Sequence, residues 1–130
     1  IQLGKFGRDR TNVWHYAGAN KPGSSAAKAL KDHPTPKPVE LVVNAILDFT
    51  NMGDIVLDPF MGSGTTIVAC MESQRVARGI ELDPKFVDVA LRRWMALSDG
   101  QPRLVETGES FDEVAARRAI EAAATITTEI

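Results

Sequence analysis

Leu57-Asp58-Pro59-Phe60-Met61-Gly62-Ser63-Gly64-Thr65-Thr66 is the stretch on which the reading of this 130-residue chain turns. The run Ile55-Val56-Leu57 before it is short, apolar and rich in β-branched residues, as a buried parallel strand is. After it, Ile67, Val68, Cys70 and Met71 place apolar groups at helical spacing, so Thr65 to about Ser73 reads as a helix. Phe60 to Gly64 must then turn tightly between strand and helix, and Ser63 or Thr65 is available to cap the helix. In open α/β sheets the crevice beyond the carboxyl end of a strand is where ligands bind.

Outward from the loop the same alternation continues. Upstream, His33-Pro34-Thr35-Pro36-Lys37-Pro38 holds the backbone extended, because three prolines in alternation forbid a helix. Pro38 can serve as a first helical residue. Leu41, Val42, Ala45, Ile46 and Phe49 then predict an amphipathic helix to about Asn51, with Gly53 ending it. Downstream, Val76 to Glu81 reads as a second strand and Pro84 to about Leu97 as a helix. Asp99-Gly100 marks a turn, and Arg103–Thr107 a third short strand. Ser110-Phe111-Asp112-Glu113 fits a capping box, so a last helix should run from Phe111 to about Ala124, with Thr125–Ile130 a frayed tail. The fold class is α/β, parallel strands with flanking helices. Three segments follow: an extended N-terminal segment over 1–32, the α/β region over 33–110, and a helix and tail over 111–130. So small a sheet has bare edges, and missing strands or a second copy of the chain would cover them.

Hydrophobic residues make up 44% and charged residues 25%, the balance of a globular domain. No apolar run spans a membrane and no signal peptide is evident. The first residue is Ile1, which suggests a piece of something longer. Cys70, alone, has no disulfide partner in the chain and fits a reducing cytoplasm; within a helical pattern it reads as core. The net charge of −2 is uneven: residues 1–40 hold seven Lys/Arg against three acids, and the remainder eight against fourteen. A basic front end could lie near phosphates, although scattered surface lysines give the same count.

Three ligands compete for the loop. A P-loop needs Lys then Ser/Thr after the last glycine, and Thr65-Thr66 stands there instead. A dinucleotide fingerprint needs a third glycine where Ile67 stands, and Asp58 would repel a pyrophosphate. S-adenosylmethionine carries no phosphate, but an ammonium, a sulfonium and a ribose with two hydroxyls. Asp58 would meet positive charge, Gly62 and Gly64 would let the methionine portion lie against backbone, and Glu81 could accept from both hydroxyls. Phe86 could lie on the adenine face. Against this stands a plain structural reading, in which Asp58 and Glu81 only cap or hydrate strand ends.

His33-x-Thr35-x-Lys37-Pro38, then Asp58-Pro59-Phe60-x-Gly62-Ser63-Gly64-Thr65-Thr66, then Gly79-Ile80-Glu81-x-Asp83-Pro84 resembles the amino-methylating DNA methyltransferases, which act on adenine N6 or cytosine N4. Asn12-Val13-Trp14 resembles a short Trp-containing stretch found upstream in such enzymes, and the match covers about residues 11 to 97. The order of motifs is similar to the beta arrangement, with the catalytic segment earlier in the chain. The resemblance implies a partial Rossmann-like S-adenosylmethionine-dependent methyltransferase fold. It implies a cofactor pocket of Asp58, Pro59, Phe60, Met61, Gly62, Ser63, Gly64 and Thr65, with Glu81 on the ribose and Phe86 beside it. His33, Thr35 and Lys37 would line the methionine end.

The family's Asp/Asn/Ser-Pro-Pro-aromatic segment, whose ring stacks on a flipped base, is not found among these residues. The expectation is therefore a cofactor-binding chain with no catalytic residue of its own, no metal, and no methylation of DNA alone. DNA would be engaged through a full-length cytoplasmic enzyme, whether of a restriction-modification system, a phage or a regulatory pathway. A non-catalytic binding or oligomerisation module of the same ancestry is the rival.

Overall fold

The computed structural model describes residues 13–16, 23 and 37–128. The chain divides into two compact units, Ile1–Leu97 and Ser98–Ile130. The first holds α1 (Val39–Phe49), β1 (Ile55–Asp58), α2 (Thr65–Ser73), β2 (Val76–Gly79) and α3 (Pro84–Met95); the second holds α4 (Phe111–Thr128).

β1 and β2 are parallel, with Ile55 opposite Val76 and Asp58 opposite Gly79. A parallel pair needs a crossover, and α2 supplies it. β2 ends earlier than predicted, at Gly79, yet the pairing runs one residue further: Ile80 N donates to Asp58 O at 2.9 Å, and Met61 N donates to Ile80 O at 3.0 Å. The loop after β1 is thus stitched to the end of β2.

The core lies between α1, α2 and the strands. Val39, Ile46, Val68, Ala69 and Cys70 are buried, with Val42, Val43, Val56 and Ala77 packed against them. α1 begins at Val39, so Pro38 is its cap and not its first residue. Its end comes at Phe49, ahead of Asn51, where the Thr50 side chain and amide both donate to Ile46 O. Arg75, just before β2, donates to the Thr50 carbonyl at 2.8 Å and to its hydroxyl at 3.0 Å, tying the end of α1 to the sheet. Upstream, Asn44 donates to the Tyr16 hydroxyl at 2.5 Å, and the Trp14 ring meets Tyr16 edge-on.

The expectation of a strand buried on both faces fails for β1. Val56 faces the helices, but Ile55 and Leu57 are 64% and 65% exposed. The reason is that α1 and α2 pack against one face, and nothing among the described residues covers the other.

The predicted third strand is also absent: Arg103 makes one isolated bridge with Ser110, antiparallel. Gly108, in the left-handed region at φ +76°, folds the segment back, so Leu104 N donates to Glu109 O at 2.8 Å within a tight turn. α4 opens on the expected box. The Ser110 amide donates to Glu113 Oε2 at 2.7 Å, and the Glu113 amide donates back to Ser110 Oγ at 3.4 Å. The helix continues through Thr128, so 125–128 is not a frayed tail.

Candidate functional site

The loop between β1 and α2 is built from two carboxylates and two glycines. Asp58, the last residue of β1, folds over the loop that follows: Oδ1 accepts from the Phe60 amide at 3.0 Å, and Oδ2 from the Thr66 hydroxyl at 2.5 Å. Glu81, just beyond β2, reaches across from the neighbouring strand. Its Oε2 accepts from the Gly62 amide at 2.6 Å and its Oε1 from the Asp83 amide at 3.0 Å. Both acids engage the same loop, Asp58 through Phe60 and Thr66 near its two ends and Glu81 through Gly62 in the middle, and each is held by donors that fix its direction.

Gly62 (φ +54°) and Gly64 (φ +77°) lie in the left-handed region. Gly64 is required twice over. Its backbone conformation is costly for any residue with a Cβ, and such a Cβ would fall 2.8 Å from the Ala90 Cβ of α3. Gly64 is also the N-cap of α2, and no side chain caps that helix; the expectation that Ser63 or Thr65 would do so is corrected. Both are instead buried with Gly64.

The remaining sequence-predicted residues divide by position. Pro59 is exposed, and Phe60, 88% exposed, is turned to solvent. Met61 turns the other way: a Cβ on Gly79 would fall on its sulfur, so its thioether fills the space that Gly79 leaves. Phe86 is half-buried on α3, and Lys37 is exposed just ahead of α1. His33 and Thr35 lie outside the described residues.

Three neighbours were not singled out as site residues. Thr66 holds Asp58, and Asp83 links Glu81 to α3 by donating its own amide to Glu81 and capping α3 through Lys85 N at 2.9 Å. Arg93 donates to Ser63 O at 3.4 Å and to Thr65 Oγ1 at 3.3 Å. The available signal was spacing: Phe86, Ala90 and Arg93 recur at i, i+4 and i+7, one stripe of α3. Among the described residues no three His, Cys, Asp or Glu side chains gather as metal ligands, and no helix is long and apolar enough to cross a membrane.

A turn of this kind sets two carboxylates beside a loop whose amides at Phe60, Met61, Gly62 and Gly64 are already donated within the protein, which suits a ligand carrying hydroxyls and positive charge better than one carrying phosphate. A family model described as DNA methylase, of the N6/N4 methyltransferase type, matches residues 3–92. Type II methyltransferase M.Cfr9I of Citrobacter freundii is 43% identical over 86 residues, which are 66% of this chain and 26% of that protein. DNA adenine methyltransferase YhdJ of Escherichia coli K12 is 46% identical over 63 residues, 48% of this chain and 21% of that one. Among solved structures, the cytosine-N4-specific PvuII DNA methyltransferase is similar in fold, with a TM-score of 0.55 at 24% identity, over 65% of this chain and 32% of that one. The chain spans about a quarter of the length of the curated relatives it matches.

Proposed function

Because this chain belongs to the N6/N4 DNA methylase family, we propose that it forms the S-adenosylmethionine-binding part of a DNA methyltransferase that modifies an exocyclic amine. The observation that carries the reading is Glu81, whose two oxygens are aimed by the Gly62 and Asp83 amides onto the loop. A carboxylate has about four acceptor sites, so one held in place by backbone amides can also accept from ribose hydroxyls. Gly62 and Gly64, both in the left-handed region, shape the turn on which the methionine portion would lie, and Asp58 places negative charge at the edge where the ammonium would arrive. Phe60 and Phe86 are the candidate walls for the adenine. Lys37, with His33 and Thr35, is assigned to the methionine carboxylate end.

The parent reaction breaks the methyl–sulfonium bond and forms a methyl–nitrogen bond; sulfur leaves as a neutral thioether and the amine loses a proton. In that reaction the residues described here bind and orient the cofactor, a contribution of position. DNA contact and base capture are assigned to a whole protein of the relatives' length, of which this chain spans about a quarter. One matched relative is named for adenine and one matched structure for cytosine, so the proposal stands at the level of the exocyclic amine.

Calorimetric titration tests the reading. The chain should bind S-adenosylmethionine or its demethylated product and not NAD. Glu81→Ala should weaken binding by about 100-fold, as expected when two hydrogen bonds to a charged acceptor are lost. Absence of binding by folded wild-type chain, or equal binding by the variant, rejects it. Tritiated cofactor with DNA should give no methyl transfer by this chain alone. The rival reading, a non-catalytic binding or self-associating module, draws on the bare Ile55/Leu57 strand face. It would be favoured by a stable dimer in sedimentation together with no cofactor affinity.

A further inference from the structure

We propose that α3 acts as a clamp on the glycine loop, with Arg93 a positioning residue that sets the backbone of 63–65 for the cofactor; this rests on the reading above. Three contacts run from one helix to one turn. At the start of α3, the Asp83 amide and the Gly62 amide share the Glu81 carboxylate, one on each oxygen. In the middle, Ala90 is 1% exposed and leaves Gly64 no room for a Cβ. Near the end, the Arg93 guanidinium meets the Ser63 carbonyl and the Thr65 hydroxyl.

Ser63 and Thr65 are 5% and 9% exposed, so the Arg93 contacts are largely screened from bulk water, where a charge-assisted hydrogen bond counts for more. One nitrogen that meets both the Ser63 carbonyl and the Thr65 hydroxyl restrains the Ser63–Gly64 peptide and the side chain that follows it. Glycine is the residue least able to fix its own backbone, because it lacks the Cβ that would exclude other conformations. Arg93 thus adds from outside to the order that the Gly64 amide on Met61 O and the Val68 amide on Gly64 O supply within the turn. The same stripe of α3 carries Phe86 four residues before Ala90, so a shift of α3 would move the adenine wall and the methionine loop together.

Two variants test the clamp. Arg93→Met keeps the apolar stem and removes the donors; Arg93→Lys keeps the charge on a shorter reach, without the one guanidinium nitrogen that makes both contacts. Cofactor affinity is measured by calorimetry at a temperature where circular dichroism shows each variant folded, and amide exchange is followed at 62–66. R93M should bind S-adenosylmethionine about tenfold more weakly and R93K about threefold, each losing part of a charge-assisted bond. Exchange should quicken at 62–66 and not in α1. If R93M fails to fold, R93K alone decides by the same two readouts. Unchanged affinity with unchanged loop exchange overturns the clamp, as does faster exchange spread evenly over the core, which marks a merely structural role. If wild-type chain binds no cofactor, the methyltransferase reading fails, and the exchange pattern still decides whether Arg93 orders the loop.

Discussion

The helices α2 and α4 begin in opposite ways. α4 opens on Ser110 and Glu113, which satisfy one another's amides, with Asp112 and Glu113 placing negative charge in the first turn. α2 opens on Gly64, with no side-chain cap and no acid in its first turn. One start is closed by its own side chains; the other is shaped by groups brought in from elsewhere, namely Glu81, Ala90 and Arg93. A helix that needs only to begin can carry its cap in its own four residues. A helix that begins at a binding loop can instead start on a glycine packed closely against a neighbouring helix, and the cost is a backbone that only the surrounding fold can hold.

The contrast can be broken most severely at Gly64. Gly64→Ala adds left-handed strain and a Cβ pressed on buried Ala90, and should cost about 3 kcal/mol, read as a lower urea midpoint. Gly79→Ala is the milder counterpart. Its Cβ meets the end of the flexible Met61 side chain, which can swing, so about 1 kcal/mol is expected in the same experiment, and a loss equal to that of Gly64→Ala would show the thioether to be as fixed as backbone.

The smallest effect belongs to α4 and sharpens the comparison through pH. The Arg117 side chain, then Thr107, holds Glu109 below its usual 4.5, and the Ser110 amide and hydroxyl do the same for Glu113. Acids lowered in the folded state contribute stability that is complete above the ordinary value and is lost as pH falls through the lowered one. Helicity of the 111–128 segment should therefore decline as pH drops below about 4.5. Glu113→Gln, which keeps an acceptor for the Ser110 amide, should remove part of that response. A variant with the full wild-type pH dependence would show that Glu113 is not its source.

The elements around the loop were readable because their signals are local. Thr65–Ser73 is helical over the span its apolar spacing predicts, α4 starts where Ser110-x-x-Glu113 places it, and Pro84 opens α3 as proline should. Asp58 and Glu81 were likewise visible as acids at the carboxyl edge of the sheet, the first ending β1 and the second two residues beyond β2. What stayed hidden depends on contacts distant in sequence. Nothing near Arg93 says that its guanidinium reaches Ser63, thirty residues earlier, and nothing near Met61 says that Gly79 makes room for its sulfur. The bare face of β1 escaped for a related reason. Ile55 and Leu57 carry the composition of a strand covered on both sides, and composition records a preference for cover without recording where the cover is.

Cys70 carries a consequence of another kind. It is 1% exposed within α2, and burial pushes its thiol above the usual cysteine range, so little of it is the reactive thiolate at neutral pH. The chain has no other cysteine. An alkylating reagent has one sulfur to find, and can reach it only when the wall of α2 swings away from the sheet. The tempo of that modification becomes a stopwatch for the opening of this single helix, and ligands seated at its head should slow the hand.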